Sequence, residues 1–548
     1  SLRRQRQMCI RDSMRLTRFK VENHRRLADL DIEVRDHLVL VGANDVGKSS
    51  LLRCLDLLLG ASTAQLYSRI SADDFRAPDQ PFVIEGTLAD FTDVDKALFP
   101  DEIHVDPNTN PSRLVIRLTA TVDENETVVI SRSAPEGGTG RQLSRDQVLG
   151  LGWKFLSATA QTRDLREDRK SALDDILQAV DLGEEEAAFE AIAKSLTTTL
   201  GSSKVLEGLR GSLADQLSKA LPDKVAQDDL AFVPGAAADN DVLSDVRLQV
   251  SKQGVAPDLS EQSDGTRALY AIALYDLMSV GANMVGIDEP EIHLHPSSQR
   301  SLARLLRSNA NQKVIATHSA DIVGAFDPDS IVVVRGGGEA VQPKAGFLSD
   351  DERMAVRLWV RDRLEPLTAR RVVVVEGISD RIILEHLADL TDRNLDRLGV
   401  SLIEAGGCGD MGPLDKLFGA NGFRVSMSQL IDADAEEALA KKLGVEVADL
   451  AGRSVWVSRS DLEDEYVRAL GSDAVWTALQ SNGHFSKNEL GNCAASGPAG
   501  TRTEIDVAAF CRRKAYKVNA ALSVLPLFTA ANATQVSSIE SLLEEIVA

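Results

Sequence analysis

The amino-acid sequence predicts an α/β protein with two parallel-sheet domains in series, and three apolar runs predict it. HLVLV passes through a glycine-rich turn into a helix at Lys48; NMVGID forms a second run; RVVVV forms a third, followed by its own turn and helix from Glu376 to Glu385. Runs without polar alternation mark strands covered on both faces, as in a parallel sheet lying between helices.

At 548 residues the chain exceeds what one hydrophobic core serves, and 43% apolar with 26% charged residues is an ordinary globular balance. Five cysteines (Cys9, Cys54, Cys408, Cys493, Cys511) are odd in number and never spaced as CxxC, which argues against a disulfide framework or zinc site and fits a reducing cytoplasm. No apolar stretch reaches the roughly 18–20 residues of a membrane span. Residues 1–13, SLRRQRQMCIRDS, read as a non-native leader and are set aside from the fold. A net charge of −22 disfavours a surface that binds nucleic acid everywhere, while leaving room for a local basic groove or a metal-neutralised site.

The elements follow in order. MRLTRFKVEN and LADLDIEV read as strands before HLVLV, and Gly60 closes the helix KSSLLRCLDLLLG. FVIEGTLADF, RLVIRLTATV and ETVVISRS read as antiparallel strands with polar turns. These make a first lobe over 14–166. Charged amphipathic stretches over 167–225 predict a helical insert, serving dimerisation or standing as a solvated subdomain. A second lobe covers 226–347, a linker-like stretch 348–370, and the second parallel-sheet domain 371–548.

Gly42-Ala-Asn44-Asp-Val-Gly47-Lys48-Ser49-Ser50 matches GxxxxGK[ST] between a strand and a helix, the context this motif needs. Its backbone N–H groups cradle phosphate, Lys48 reaches the terminal phosphates and Ser49 ligates Mg²⁺. In IDEPEIHLHP, Asp288 is positioned to hold that magnesium through water and Glu289 to polarise the attacking water. His318, at the end of KVIATHS, is placed to meet the γ-phosphate and resembles the switch histidine of ABC-type ATPases. LSEQSDGTRALYAIALYDL, with Ser263, Gly265 and Thr266 opening a helix, resembles the signature motif in its SMC-like form. That resemblance implies a homodimer whose ATP sites are each completed by the other subunit's signature. The heptad arm of SMC proteins is missing.

In the last third, Glu376 ends a buried strand, Asp380 opens the next helix, and VSMSQLIDAD ends in Asp432 and Asp434. Ligands of parallel sheets bind at such ends, and acids at i and i+2 of an extended segment face the same way, so they share one cation with Glu376. Asp461 and Glu463 share a face if VWVSRSDLEDEY is extended, which offers a second metal site. A glutamate at one strand end and DxD at a later one resemble the Toprim domain.

An ABC/SMC-like ATPase head with a helical insert, followed by a C-terminal Toprim domain, resembles the OLD (overcoming lysogenization defect) family nucleases, including Gabija-type nuclease subunits. The resemblance is strongest at GANDVGKSS, IDEPEIHLHP, VVVVEGISD and DAD and thinnest between 60 and 240. It implies ATP and Mg²⁺ (or Mn²⁺) as cofactors and nicking or cleavage of DNA to leave a 3′-hydroxyl, in anti-phage defence. It implies one metal on Glu376, Asp380, Asp432 and Asp434, another helped by Asp461 and Glu463, and transition-state neutralisation by Lys517, whose K-x-x-A-A text matches the family's lysine segment, with Lys514 as the alternative. Pairing of dimers into tetramers and a helicase or other defence partner stay open. The competing readings are a non-catalytic SMC-like recombination mediator and a topoisomerase- or primase-related enzyme; only Tyr466 and Tyr516 follow the signature helix as nucleophiles for the latter.

Overall fold

The computed structural model describes residues 14–105, 112–124, 127–137, 140–156, 195, 198–220, 224–234, 246–250, 265–266, 269, 282–308, 311–405, 411–491 and 493–548. The leader, the first part of the helical insert and Ser263 lie outside the described residues. The chain forms two compact units, Ser1–Gln342 with Arg353–Asp362, and Pro343–Glu352 with Arg363–Ala548.

The first unit is built on a sheet in the order Ala340–Val341, Ile331–Val334, Leu38–Val41, Gln312–Thr317, Met284–Asp288, Trp153–Leu156. All neighbours are parallel except the Ala340–Val341 edge. Leu38–Val41 is central and buried throughout, which is why HLVLV shows no alternation. The Trp153–Leu156 edge strand is absent from the sequence reading, being four residues long with a bulky aromatic where alternation would be sought.

An antiparallel sheet accompanies it, ordered Leu30–Glu33, Arg15–Glu22, Phe82–Ala89, Ser112–Val122, with Val128–Ser133 also on Ser112–Val122. Phe82–Ala89 alternates strictly between buried and half-buried positions, so one face is committed to the core. The Lys48–Leu59 helix packs against both sheets, burying Leu51, Leu52, Leu55 and Leu58 in a core shared with Phe19, Ile84 and Ile116. Two buried polar side chains fix this arrangement. Arg132 donates to the carbonyls of Leu57, Leu58 and Ala61 at 3.3, 3.3 and 2.7 Å, satisfying the open end of the helix. Gln312 accepts from the Leu16 N–H and donates to the Leu16 and Arg35 carbonyls, each at 2.9 Å, stapling one sheet to the other.

Within the insert, Lys204–Ala220 is a helix that buries Leu213, Ala214 and Leu217 and packs on the Pro296–Ser308 helix. The linker-like stretch contains a helix, Asp350–Asp362, whose first turn carries Asp350, Asp351 and Glu352 and whose last carries Arg361, matching the helix dipole at both ends.

The second unit holds four parallel strands, ordered Val400–Glu404, Arg371–Val375, Ser426–Asp432, Val455–Ser458. Val372 to Val375 are at most 1% exposed, and each such side chain contributes about 1.5–3 kcal/mol of burial. Helices Ile378–Leu390, Leu462–Leu470, Glu504–Cys511, Lys517–Val524 and Ser537–Val547 complete a core around Tyr466, Trp476 and Phe510. Among the described residues no helix is long and apolar enough to cross a membrane.

Candidate functional site

At the carboxyl end of the first unit's central strands, Gly42 is fixed by crowding: a Cβ there would meet the Val334 carbonyl oxygen at 2.2 Å. Gly47 has φ 115°, and with it the turn opens directly into the Lys48–Leu59 helix. Asn44 is exposed on the turn and Ser50 half-buried in the helix. Lys48 is 4% exposed and donates to the carbonyls of Gly42 and Ala43 at 3.1 and 2.8 Å. Burial lowers its pKa, against the pull of Glu289 and Asp288. Ser49 Oγ donates to Asp288 Oδ1 at 3.2 Å, so the hydroxyl and carboxylate expected to share a cation already meet.

Glu289 leaves the strand in the left-handed region, φ 47°, while its N–H still donates to the Ala316 carbonyl at 2.8 Å. A non-glycine residue held there costs about 1–3 kcal/mol, and such strain clusters at functional positions. The turn brings Glu289 Oε1 to 3.4 Å from His318 Nε2, which forms no hydrogen bond among the described residues. Burial, with Lys48 nearby, lowers the His318 pKa. Glu291 was not singled out from sequence, yet its carboxylate accepts from the His318 backbone N–H; burial raises its pKa. Gly265 lies under the same turn, where a Cβ would meet the His293 carbonyl oxygen at 2.5 Å. Ser263 lies outside the described residues.

In the second unit, Glu376 follows the Arg371–Val375 strand and its Oε1 accepts from the Asp432 backbone N–H at 3.0 Å. Asp380, 6% exposed, accepts from the Gly377 N–H at 2.9 Å and the Ser379 hydroxyl at 3.3 Å. Asp432 accepts from the Leu462 N–H at 3.2 Å, joining a strand end to the start of the Leu462–Leu470 helix. Lys517, first residue of its helix, sets Nζ 3.6 Å from Asp432 Oδ2 and 3.4 Å from Glu463 Oε2; Lys514 is exposed outside the helix.

Burial raises every carboxyl of this group: Asp380 and Asp432 to about 6, Glu463 to about 7, and Glu376 and Asp461 in the same direction. Neighbouring acids add to the rise and Lys517 opposes it. Among the described residues no three acid, histidine or cysteine side chains converge on a common point at ligand distance, and the Lys517 ammonium lies between Asp432 and Glu463.

Two geometric premises from the sequence are corrected. Asp434 is not on an extended segment beside Asp432: the strand stops at Asp432 and Asp434 sits exposed in a 3₁₀ turn, although its charge still reaches Glu376. The segment at Asp461 is not extended either. Asp461 caps the Leu462–Leu470 helix by accepting from the Asp464 N–H at 2.8 Å, and Glu463, in the first turn, faces Lys517. Sequence reading missed Arg512, whose Nε lies 2.8 Å from Asp461 Oδ2.

A P-loop and acidic turn on one parallel sheet, with an acid cluster around a lysine on another, define an ATPase joined to a Toprim-type nuclease unit. A family model described as AAA domain, putative AbiEii toxin, Type IV TA system, matches residues 38–324, and one described as overcoming lysogenization defect protein-like, TOPRIM domain, matches 367–434. The chain belongs to that AAA family and carries an OLD-like TOPRIM domain, which makes it an ATPase–nuclease of the OLD type. OLD nuclease of Thermus scotoductus is 25% identical over 429 residues, 72% of this chain and 77% of that one. Endonuclease GajA of Bacillus cereus is 21% identical over 421 residues, 72% of this chain and 71% of that one. A solved C-terminal region of the Burkholderia pseudomallei OLD protein is 24% identical, covering 33% of this chain and 97% of that one, with a TM-score of 0.27.

Proposed function

We propose that the chain is a cytoplasmic, ATP-hydrolysing, divalent-metal-dependent DNA endonuclease that nicks or cleaves phosphodiester bonds in defence against phage. The observation that carries this reading is the gathering of Glu376, Asp380, Asp432 and Glu463 around Lys517 at the carboxyl end of a parallel sheet. Both relatives that align over most of the chain are nucleases by name.

The donor set suits a hard cation: the carboxylates of Glu376, Asp380, Asp432, Asp461 and Glu463 are buried or half-buried and raised in pKa, and Glu463 Oε2 lacks a hydrogen bond among the described residues. Glu376, Asp380, Asp432 and Asp434 would hold one Mg²⁺ or Mn²⁺ and Asp461 and Glu463 help hold a second, and such ions, when bound, neutralise the scissile phosphate and acidify the attacking water. Glu376 is kept in place by the Asp432 N–H, and Asp380 by its own helix N-terminus. Lys517 sets its ammonium where negative charge grows on the phosphorus oxygens. Arg512 holds Asp461.

In the ATPase unit, Gly42, Asn44, Gly47, Lys48 and Ser50 receive the nucleotide phosphates, and Ser49 with Asp288 receives its cation. Glu289 takes the proton of the attacking water and His318 faces the γ-phosphate. Ser263 and Gly265 of a second copy complete the site, which makes the working species a homodimer through the ATPase heads.

The test is supercoiled plasmid incubated with Mg²⁺ or Mn²⁺. Nicked or linear product, abolished by Glu376→Ala, is expected; intact plasmid across metals overturns the reading in favour of a recombination mediator.

A further inference from the structure

On a chain of net charge −22, one groove of about 200 Å³ in the first unit concentrates positive charge. It runs between the Pro296–Ser308 and Asp350–Asp362 helices and is lined by Arg300, Arg304, Arg307, Arg357 and Arg361, with Asp321 the acid among its lining residues. Asp321 is shared, its Oδ2 lying 3.3 Å from Arg300 and its Oδ1 3.0 Å from Arg361, so one negative charge serves two guanidinium groups. Among the described residues Arg304 and Arg357 bond only neutral partners, the carbonyls of Arg300, Gly324 and Ala325, which hold them in place without cancelling charge. Arg307 is exposed, and its charge acts on Arg357.

We infer that this groove binds the phosphodiester backbone of the DNA substrate, an inference that rests on the nuclease reading. Arg300, Arg304 and Arg307 recur on one side of their helix over about 10 Å of axis, and DNA advances about 3.4 Å per nucleotide of a strand, so the row faces about three phosphates. Planar guanidinium forks suit phosphate oxygens. A net charge of −22 opposes a polyanion overall, so a local cationic track has to draw the duplex in. Met354 and Leu358, each 58% exposed at the rim, offer carbon surface to the sugars. The groove is also mounted on the nucleotide sensor. Asp321 sits three residues beyond His318, and the intervening Ser319 donates its hydroxyl to Gln299 at 2.5 Å, next to Arg300.

The experiment is fluorescence anisotropy of a labelled duplex with the full-length protein in chelator, across a salt series. Arg304→Glu with Arg307→Glu is expected to weaken binding about 10- to 100-fold and flatten the plot of log affinity against log salt by about 2. Its ATP hydrolysis and melting temperature should match the parent. Should the charge reversal unfold the protein, Arg304→Gln with Arg307→Gln makes the same comparison, with a slope change in the same direction expected. Equal affinity and slope in a folded variant overturns the inference while leaving the nuclease reading intact. Loss of binding to polyglutamate with unchanged duplex binding overturns it in favour of an acidic protein segment. A parent protein that binds no duplex in chelator overturns the inference, and the nuclease reading falls with it only if plasmid also stays intact with Mg²⁺ or Mn²⁺.

Discussion

The Lys517 ammonium stands 3.4 Å from Glu463 Oε2 and 3.6 Å from Asp432 Oδ2, bridging acids from two different segments. On the proposed reading, a cation already between the acids would keep them close before metal and substrate bind and would then stabilise the phosphate. Lys517→Met is therefore expected to lower single-turnover plasmid nicking by about 10²–10³, the usual loss for one charge-stabilising donor. Steady-state ATP hydrolysis should be unchanged. Nicking at the parental rate, over a full metal titration, would remove Lys517 from the chemistry.

The left-handed Glu289 and the Glu291 to His318 N–H bond make separable predictions for ATP turnover. Glu289→Gln keeps the shape of the turn but cannot accept a proton, so hydrolysis should fall by about 10²–10⁴ with ATP still bound and the dimer stabilised. Lys48→Ala should abolish nucleotide binding. Glu291→Gln should leave ATP affinity intact and lower turnover less than Glu289→Gln, since Glu291 acts by holding the His318 backbone. Presteady-state hydrolysis with fluorescent-ATP binding separates the three; unchanged hydrolysis in Glu289→Gln refutes the assigned base.

What the sequence made legible follows from how locally each feature is encoded. Gly42 to Ser49 and Glu376 to Asp380 are each a strand, a turn and a helix in unbroken text, so pattern and chemistry could be read together. Helix phase and start were harder. Asp461 and Glu463 read as an extended pair, whereas capping by Asp461 starts a helix there and aims Glu463 at Lys517. Glu465, two residues on, turns instead to Ser538 and the Arg459 N–H, a structural role no local pattern separates from that of Glu463. Arg512 and Glu291 act through partners distant in sequence, Asp461 and the His318 N–H, and one sequence carries no record of such pairings.

His24 and His37 give the ATPase unit an acid-sensitive stability. Burial holds both near a pKa of about 4, and each uses Nδ1 to accept a backbone N–H, from Arg26 at 3.0 Å and Lys313 at 3.1 Å. Unfolded, each would take up a proton near pH 6.5. Between pH 6.5 and 4 the unfolded chain binds more protons than the folded one, so stability falls as pH falls through that window and levels below it. The loss is on the order of 2–3 kcal/mol per histidine. Denaturant titrations at pH 7.5, 5.5 and 4.5 test this, with His37→Asn expected to show a shallower decline; identical pH slopes would contradict it.

Glu545 closes the other end of the nuclease unit's sheet, away from the acid cluster. Its carboxylate accepts from Arg371 at 2.6 Å, Ser428 at 3.2 Å, Ser454 at 2.6 Å and Trp456 Nε1 at 2.7 Å, tying the C-terminal helix to three strands or their approaches. Burial alone would raise its pKa, but the bonds from Ser454, Trp456 and Arg371 outweigh it and hold the carboxyl below the ordinary value. Glu545→Ala strips these partners at once and should destabilise the unit by about 2–4 kcal/mol. In calorimetry, added ATP should raise the transition of the ATPase unit through its binding, and Glu545→Ala should lower the other transition alone. Because the folded pKa is depressed, the contribution of Glu545 is present above the unfolded carboxyl pKa and disappears as pH falls through the folded one, so parent and variant should converge in acid. A gap between them that persists at every pH would assign the loss to packing of the helix instead of to the carboxylate.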